Sequence, residues 1–283
     1  MNDIIIVKKE KCLKDGLCVA DCPLNLLTQD KDGYPVPVEE AGELCIDCGH
    51  CVAVCPSGAL DQRWMAAADC RPIQKGLEIS AEHIEQYLCS RRSIRQYLQK
   101  QVEDKKIKKL LAIAGYAPSG HNVQPARWLV ITDVNQVRRL AGLVADWLGM
   151  MIKDQPDFAA RLHMDKVLAA WDKGQDLILR NAPHLLIAYA PKNERTAPAA
   201  IVSAIAYLEI AAPSLGLGTC WAGYFLHACQ AFGPLLKALA LPEDHIVYGA
   251  VMLGYHKAEY HRVPLRKPPD IRSVDSIYMH HSF

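Results

Sequence analysis

A chain of 283 residues that is 51% hydrophobic and 22% charged has material for a buried core and about two domains, and excludes a disordered protein. With 32 basic and 31 acidic side chains its net charge is +1, which argues against a dedicated nucleic-acid or membrane-surface binder. The balance conceals an asymmetry: residues 1–62 carry 5 Lys and 11 acids, net −6, and the remainder is net +7.

Ile4-Ile5-Ile6-Val7 reads as a short strand entering a small domain. Two cysteine blocks follow, closing at Cys22-Pro23 and Cys55-Pro56 and separated by the turn-rich Asp30-Lys31-Asp32-Gly33-Tyr34-Pro35. The second block, Cys45-x2-Cys48-x2-Cys51-x3-Cys55-Pro56, has the spacing that wraps three thiolates around one iron–sulfur cube and sends the fourth to a neighbour. Zinc sites use two ligand pairs separated by a longer loop and fit this poorly. In the first block Asp15 stands where the second thiolate belongs. The crosswise rule gives Cys12, Cys18 and Cys55 to one cluster, with Asp15 as candidate fourth ligand, and Cys45, Cys48, Cys51 and Cys22 to the other. The Asp15 site is then a [4Fe-4S] cube with carboxylate on one iron, or a [3Fe-4S] cluster beside a solvated aspartate.

Seven of the 11 cysteines fall in these blocks. An odd total without a charged, apolar leader at Met1-Asn2-Asp3-Ile4 argues against secretion and points to a reducing cytoplasm. The expected organisation is an iron–sulfur domain over 1–62, a connecting segment over 63–87 that ends in a helix from Ala81, and a second domain over 88–283.

Ser90-Arg91-Arg92-Ser93-Ile94-Arg95 concentrates guanidiniums and hydroxyls that suit a phosphate. Acids at 103–104, then Ile107, Leu110, Leu111 and Ala114, predict an amphipathic helix whose Lys105-Lys106 and Lys108-Lys109 face solvent. Ala117-Pro118-Ser119-Gly120-His121-Asn122-Val123-Gln124-Pro125 is a tight turn rich in donors and acceptors. Strands are expected at 128–131, 185–188 and 246–253, and a central buried helix over 197–212. The apolar run Ala197 to Leu208 falls short of the roughly 20 residues a bilayer requires. Pro264-Leu265-Arg266-Lys267-Pro268 adds a cationic pair near the end. Helices and strands interleave without a βαβ rhythm, so the fold class is α+β.

Residues 1–60 resemble a bacterial two-cluster ferredoxin domain. The arginine run, the Ala117–Pro125 turn and Gly216-Leu217-Gly218-Thr219-Cys220-Trp221-Ala222-Gly223, in that order, resemble the nitroreductase family. Together the chain looks like a ferredoxin-fused nitroreductase. The resemblance implies an FMN-dependent oxidoreductase in which Arg91, Arg92, Ser93, Arg95 and Arg266 hold the phosphate and ribityl chain, with Lys267 a secondary phosphate candidate. Pro118, Ser119, Gly120 and Asn122 would reach the flavin from the second subunit of a homodimer, and Trp221, Ala222 and Gly223 would line its ring. It implies a ferredoxin-type or NAD(P)H donor and a small organic acceptor: a nitroaromatic, a quinone or an activated alkene. Electrons leaving through the clusters, or a redox sensor without a dedicated substrate, are the alternatives. No acid–base residue is singled out.

Overall fold

In chain order the first unit of this computed structural model runs β1 (Ile5–Val7), α1 (Leu17–Ala20), β2 (Leu27–Gln29), β3 (Pro35–Pro37), α2 (Ala41–Leu44), α3 (His50–Ala53) and β4 (Leu60–Gln62). The structure describes residues 4–272. Residues 1–3, on which the absence of a leader was argued, and 273–283, the end of the expected second domain, lie outside the described residues. β1 pairs antiparallel with β4 and β2 with β3, around a core of Ile4, Ile5, Leu26, Leu27, Ala41, Val52 and Leu60. The cysteine repeat becomes a geometric one. Gly16 and Gly49, at φ 72° and 74°, open α1 and α3, and that left-handed backbone suits glycine. Each short helix then carries a cysteine, Cys18 or Cys51, at its second position.

The connecting segment ends in α4 (Ala81–Ser90), where the Ser80 hydroxyl accepts the His83 N–H as N-cap. The second unit continues with α5 (Asp104–Ala114), β5 (Arg127–Ile131), α6 (Val134–Asp154), α7 (Pro156–Arg161), α8 (Met164–Asp172), β6 (His184–Pro191), α9 (Ala197–Ala211), β7 (Gly218–Trp221), α10 (Gly223–Ala228), α11 (Gly233–Leu239) and β8 (His245–Gly254). Its strands form an antiparallel sheet in the order β5-β6-β8-β7. Along β6, Leu185 and Ile187 pack with α6, whereas Leu186 and Ala188 pack with α5 and α9. Both faces of the sheet are covered, which is why β6 and β8 read as unbroken apolar runs. The fold is α+β.

The helix expected to be buried all round is not. Ala200, Ile201, Ala204, Ile205 and Leu208 of α9 enter the core, but Val202, Tyr207 and Ile210 stay 52%, 41% and 36% exposed. These three lie along one apolar stripe. After Ala211 the helix tightens into a 3-10 turn, Ala212–Leu215, with Pro213 in its first turn, so the proline ends α9 rather than kinking it. Counting that turn, Ala197–Leu215 runs 19 residues at a mean hydropathy of 1.5, long and apolar enough to cross a membrane and longer than the sequence run suggested. Its packing on the sheet gives the apolar residues another use.

Candidate functional site

The fold sorts the cysteines. Cys22, from the first block, lines one cavity with Cys45, Cys48 and Cys51 of the second, walled by Ile4, Ile5, Leu26 and Leu27. Burial, together with the charges of Cys48 and Cys45, pushes the Cys51 thiol up to about 11, so thiolates here need a cation to balance them. Burial raises the Cys18 thiol, and Cys55 from the second block, then Asp15 and Cys12, lie close enough to act in the same sense. The two Cys-Pro cysteines are matched: Cys22 Sγ accepts the Leu26 N–H and Cys55 Sγ the Ala59 N–H, both at 3.3 Å. Asp15 Oδ1 accepts the Leu17 N–H at 3.1 Å at the start of α1. Among the described residues no three His, Cys, Asp or Glu side chains converge on a single-ion site. Four thiols spread around a shared cavity suit a polynuclear cluster.

A clamp that sequence reasoning missed braces the Cys45–Cys48 loop. Arg63, just past β4, sets Nε and Nη2 on the two Asp47 oxygens at 2.9 and 3.0 Å and donates to the carbonyls of Gly42 (3.0 Å) and Cys45 (3.3 Å). The buried Gln62 amide also donates to Asp47. Hydrogen bonding from Arg63 holds the Asp47 carboxyl below the usual carboxylate range.

The second part of the site begins where the extended segment after α4 lies along β7. The Ile94 N–H donates to the Thr219 carbonyl at 2.8 Å, and Tyr97 Oη donates to the Ile94 carbonyl at 2.8 Å. A Cβ on Gly218 would overlap the Ile94 side chain, so only glycine allows this approach. The pairing brings the arginine run against the Gly216–Gly223 stretch. Glu209, in the last turn of α9, joins them: it accepts from Thr219 Oγ1 (3.1 Å) and Trp221 Nε1 (3.0 Å) and pairs with Arg91 at 3.5 Å.

Arg91 and Arg92 line one cavity with Ser90, Glu209 and Thr219; Arg95 lines another with Arg180, Trp221, Gly223 and Tyr224. Ser93 bonds the Cys220 thiol between them, and burial raises that thiol. Ala222 is buried behind Trp221, its N–H donating to the Ala250 carbonyl. Arg92 Nη2 donates to the Cys89 carbonyl, but its Nε is buried without a partner among the described residues. An anion in this cavity would satisfy it. Arg266 and Lys267 sit on the exposed, irregular stretch after β8.

Pro118, Ser119, Gly120 and Asn122 are elsewhere. Their loop feeds β5, at the sheet edge opposite β7, roughly 14 Å away across three strand spacings. A Cβ on Gly120 would meet Thr196 Cγ2 at 2.8 Å, at the start of α9, whereas Glu209 marks its end. Thirteen helical rises separate Thr196 from Glu209 by about 20 Å. His121, Asn122 and Gln124 all have positive φ, an unusual concentration for residues with side chains. The loop is held by Gln124 N–H to Ser119 Oγ (3.0 Å) and Gln124 Nε2 to Asn122 Oδ1 (2.8 Å). Asn122 Nδ2 donates to the carbonyls of Ile46 (3.2 Å) and Asp47 (3.0 Å), between two of the cysteines. No sequence signal announced that contact. One did exist for Glu209, the only Asp, Glu, Lys or Arg between Arg195 and Lys237.

Comparison with known proteins agrees with this two-part architecture. The 4Fe-4S dicluster domain profile matches residues 11–60 and the Nitroreductase family profile residues 88–255. A protein of Archaeoglobus fulgidus assigned as an NADH dehydrogenase/NAD(P)H nitroreductase is 27% identical, the match covering 60% of this chain and 83% of that protein. The 4-nitrobenzoate reductase of a Nocardioides species is 29% identical over 60% of this chain and 79% of its own. In fold, the chain is similar to an FMN-bound nitroreductase from Bacteroides fragilis, with TM-score 0.54, 24% identity and 68% and 98% of the two chains covered. The chain belongs to the nitroreductase family, as a flavin-dependent oxidoreductase with a ferredoxin-like 4Fe-4S dicluster domain ahead of it.

Proposed function

We propose that this protein holds FMN against Arg91, Arg92, Ser93, Arg95 and Trp221–Gly223, carries two iron–sulfur clusters on residues 12–55, and reduces a small organic acceptor. Bound, such clusters pass single electrons while a flavin handles one or two, so the pair converts between the two kinds of transfer. The observation that carries the reading is the joining, within one chain, of crosswise cysteine sets to an arginine-lined pocket whose Arg92 Nε is buried and unpartnered among the described residues.

Each residue set has a task. Cys45, Cys48, Cys51 and Cys22 would hold a [4Fe-4S] cluster; Cys12, Cys18 and Cys55 would hold the second, with Asp15 on its fourth iron or that corner missing. Arginine forks would take the flavin phosphate, and Glu209 keeps Arg91 and Trp221 in position from behind. Two copies complete the pocket. Its sequence pieces occupy opposite sheet edges, and the open stripe Val202, Tyr207 and Ile210 gives the second copy an apolar face to cover.

A low-potential carrier such as ferredoxin is the proposed donor, and a nitroaromatic, quinone or activated alkene the acceptor. The Archaeoglobus relative's assignment favours NAD(P)H as donor, and in that second reading electrons would leave through the clusters. Anaerobic stopped-flow separates them. Reduced ferredoxin should bleach the flavin absorbance rapidly and NADPH slowly; fast bleaching by NADPH alone overturns the first assignment.

A further inference from the structure

The loop Pro118–Asn122 and the metal-binding loop are one mechanical unit. Both donor hydrogens of the Asn122 amide point at the Ile46–Asp47 backbone, and its oxygen receives the Gln124 amide, so the side chain is committed within its own copy. Asp47 is in turn fixed by the Arg63 fork, and Cys45 and Cys48 flank the clamped pair. The same loop lies at the opposite sheet edge from Arg91 and Trp221 of its own chain.

We propose that the cysteine cage of each copy braces the flavin pocket of its partner. Asn122 is the positioning residue through which it does so, holding its loop, with His121, Asn122 and Gln124 at positive φ, against the metal loop. The inference rests on the reading that two copies share an FMN pocket and adds its direction: metal occupancy in one copy sets flavin affinity in the other. An ordered loop binds more tightly because less freedom remains to be lost on binding.

The test uses mixed dimers of the full chain, assembled from two differently tagged copies. The first copy carries Arg91→Ala and Arg95→Ala, silencing its own arginine half. One FMN pocket per dimer then remains, made of the second copy's arginines and the first copy's loop. FMN affinity is measured by fluorescence titration, without turnover. Replacing Cys45, Cys48 and Cys51 by Ser in the first copy should weaken FMN about tenfold, the loss expected for two loosened hydrogen bonds. The same replacement in the second copy should leave affinity within about twofold. Asn122→Ala in the first copy, a milder change that spares the cage, should reproduce the tenfold loss and add little to the serine replacements.

Weakening from the second copy instead, no weakening from either, or additive losses from Asn122→Ala and the serines would each overturn the inference. Failure of the underlying reading looks different: the unmodified chain would run as a monomer, or would take up no FMN at all.

Discussion

Trp221 Nε1 donates to Glu209 Oε2 at 3.0 Å, tying the indole at the end of β7 to the last turn of α9. The other oxygen, Oε1, takes the Thr219 hydroxyl and Arg91, so one largely buried carboxylate ties Trp221, Thr219 and Arg91 together at the proposed pocket. Glu209→Ala leaves these donors without their acceptor and should cost about 1–3 kcal/mol in stability. FMN should dissociate at least about tenfold more readily. Glu209→Gln keeps one acceptor oxygen and should fall between the two. Urea unfolding and FMN titration measure the two effects; unchanged FMN affinity in Glu209→Ala would show that the carboxylate does not organise the pocket.

Arg63 reaches around the Cys45–Cys48 loop with four donor contacts, two of them a fork on Asp47. A lysine cannot reproduce that fork. Arg63→Ala and Arg63→Lys should both release iron to a chelator several-fold faster than the parent protein. The core of the second unit should keep its melting behaviour, because all four of these donor contacts fall on residues of the first unit. Equal release rates would remove the clamp from the account.

His184 is fully buried, accepts the Val102 N–H on Nε2 at 2.8 Å, and has Nδ1 without a partner among the described residues. Burial lowers its pKa from the ordinary 6.5. The unfolded chain therefore takes up a proton near 6.5 that the fold resists, so this residue's contribution to stability is present above that pH and declines as pH falls below it. Between about pH 7.5 and pH 5.5 the parent protein should lose more stability than His184→Gln does. Denaturant midpoints at the two values give the difference, and parallel losses would rule out His184 as a contributor.

What was legible in the sequence follows its physical signals. Continuous apolar runs located β5, β6 and β8, and the i, i+3, i+4, i+7 spacing of Ile107, Leu110, Leu111 and Ala114 located α5. The cysteine intervals group Cys22 with Cys45, Cys48 and Cys51, and these four line one cavity. The 21-residue α6 went unremarked, although Val137, Leu140, Ala141, Val144 and Leu148 carry a helical repeat. The open stripe of α9 could not be read, since Val202, Tyr207 and Ile210 are as apolar as the residues buried beside them. Long-range polar contacts were the least visible. Asn122 and Asp47 are 75 residues apart, and nothing local to either announces the other.

Iron, acid-labile sulfide and flavin content per chain, measured on protein purified without oxygen, tests the central claim most directly. The account predicts one FMN and eight irons with eight sulfides if Asp15 ligates the fourth iron, or seven irons with eight sulfides if that corner is missing. Zinc in place of iron, or a colourless protein that takes up neither flavin nor iron on reconstitution, would contradict it.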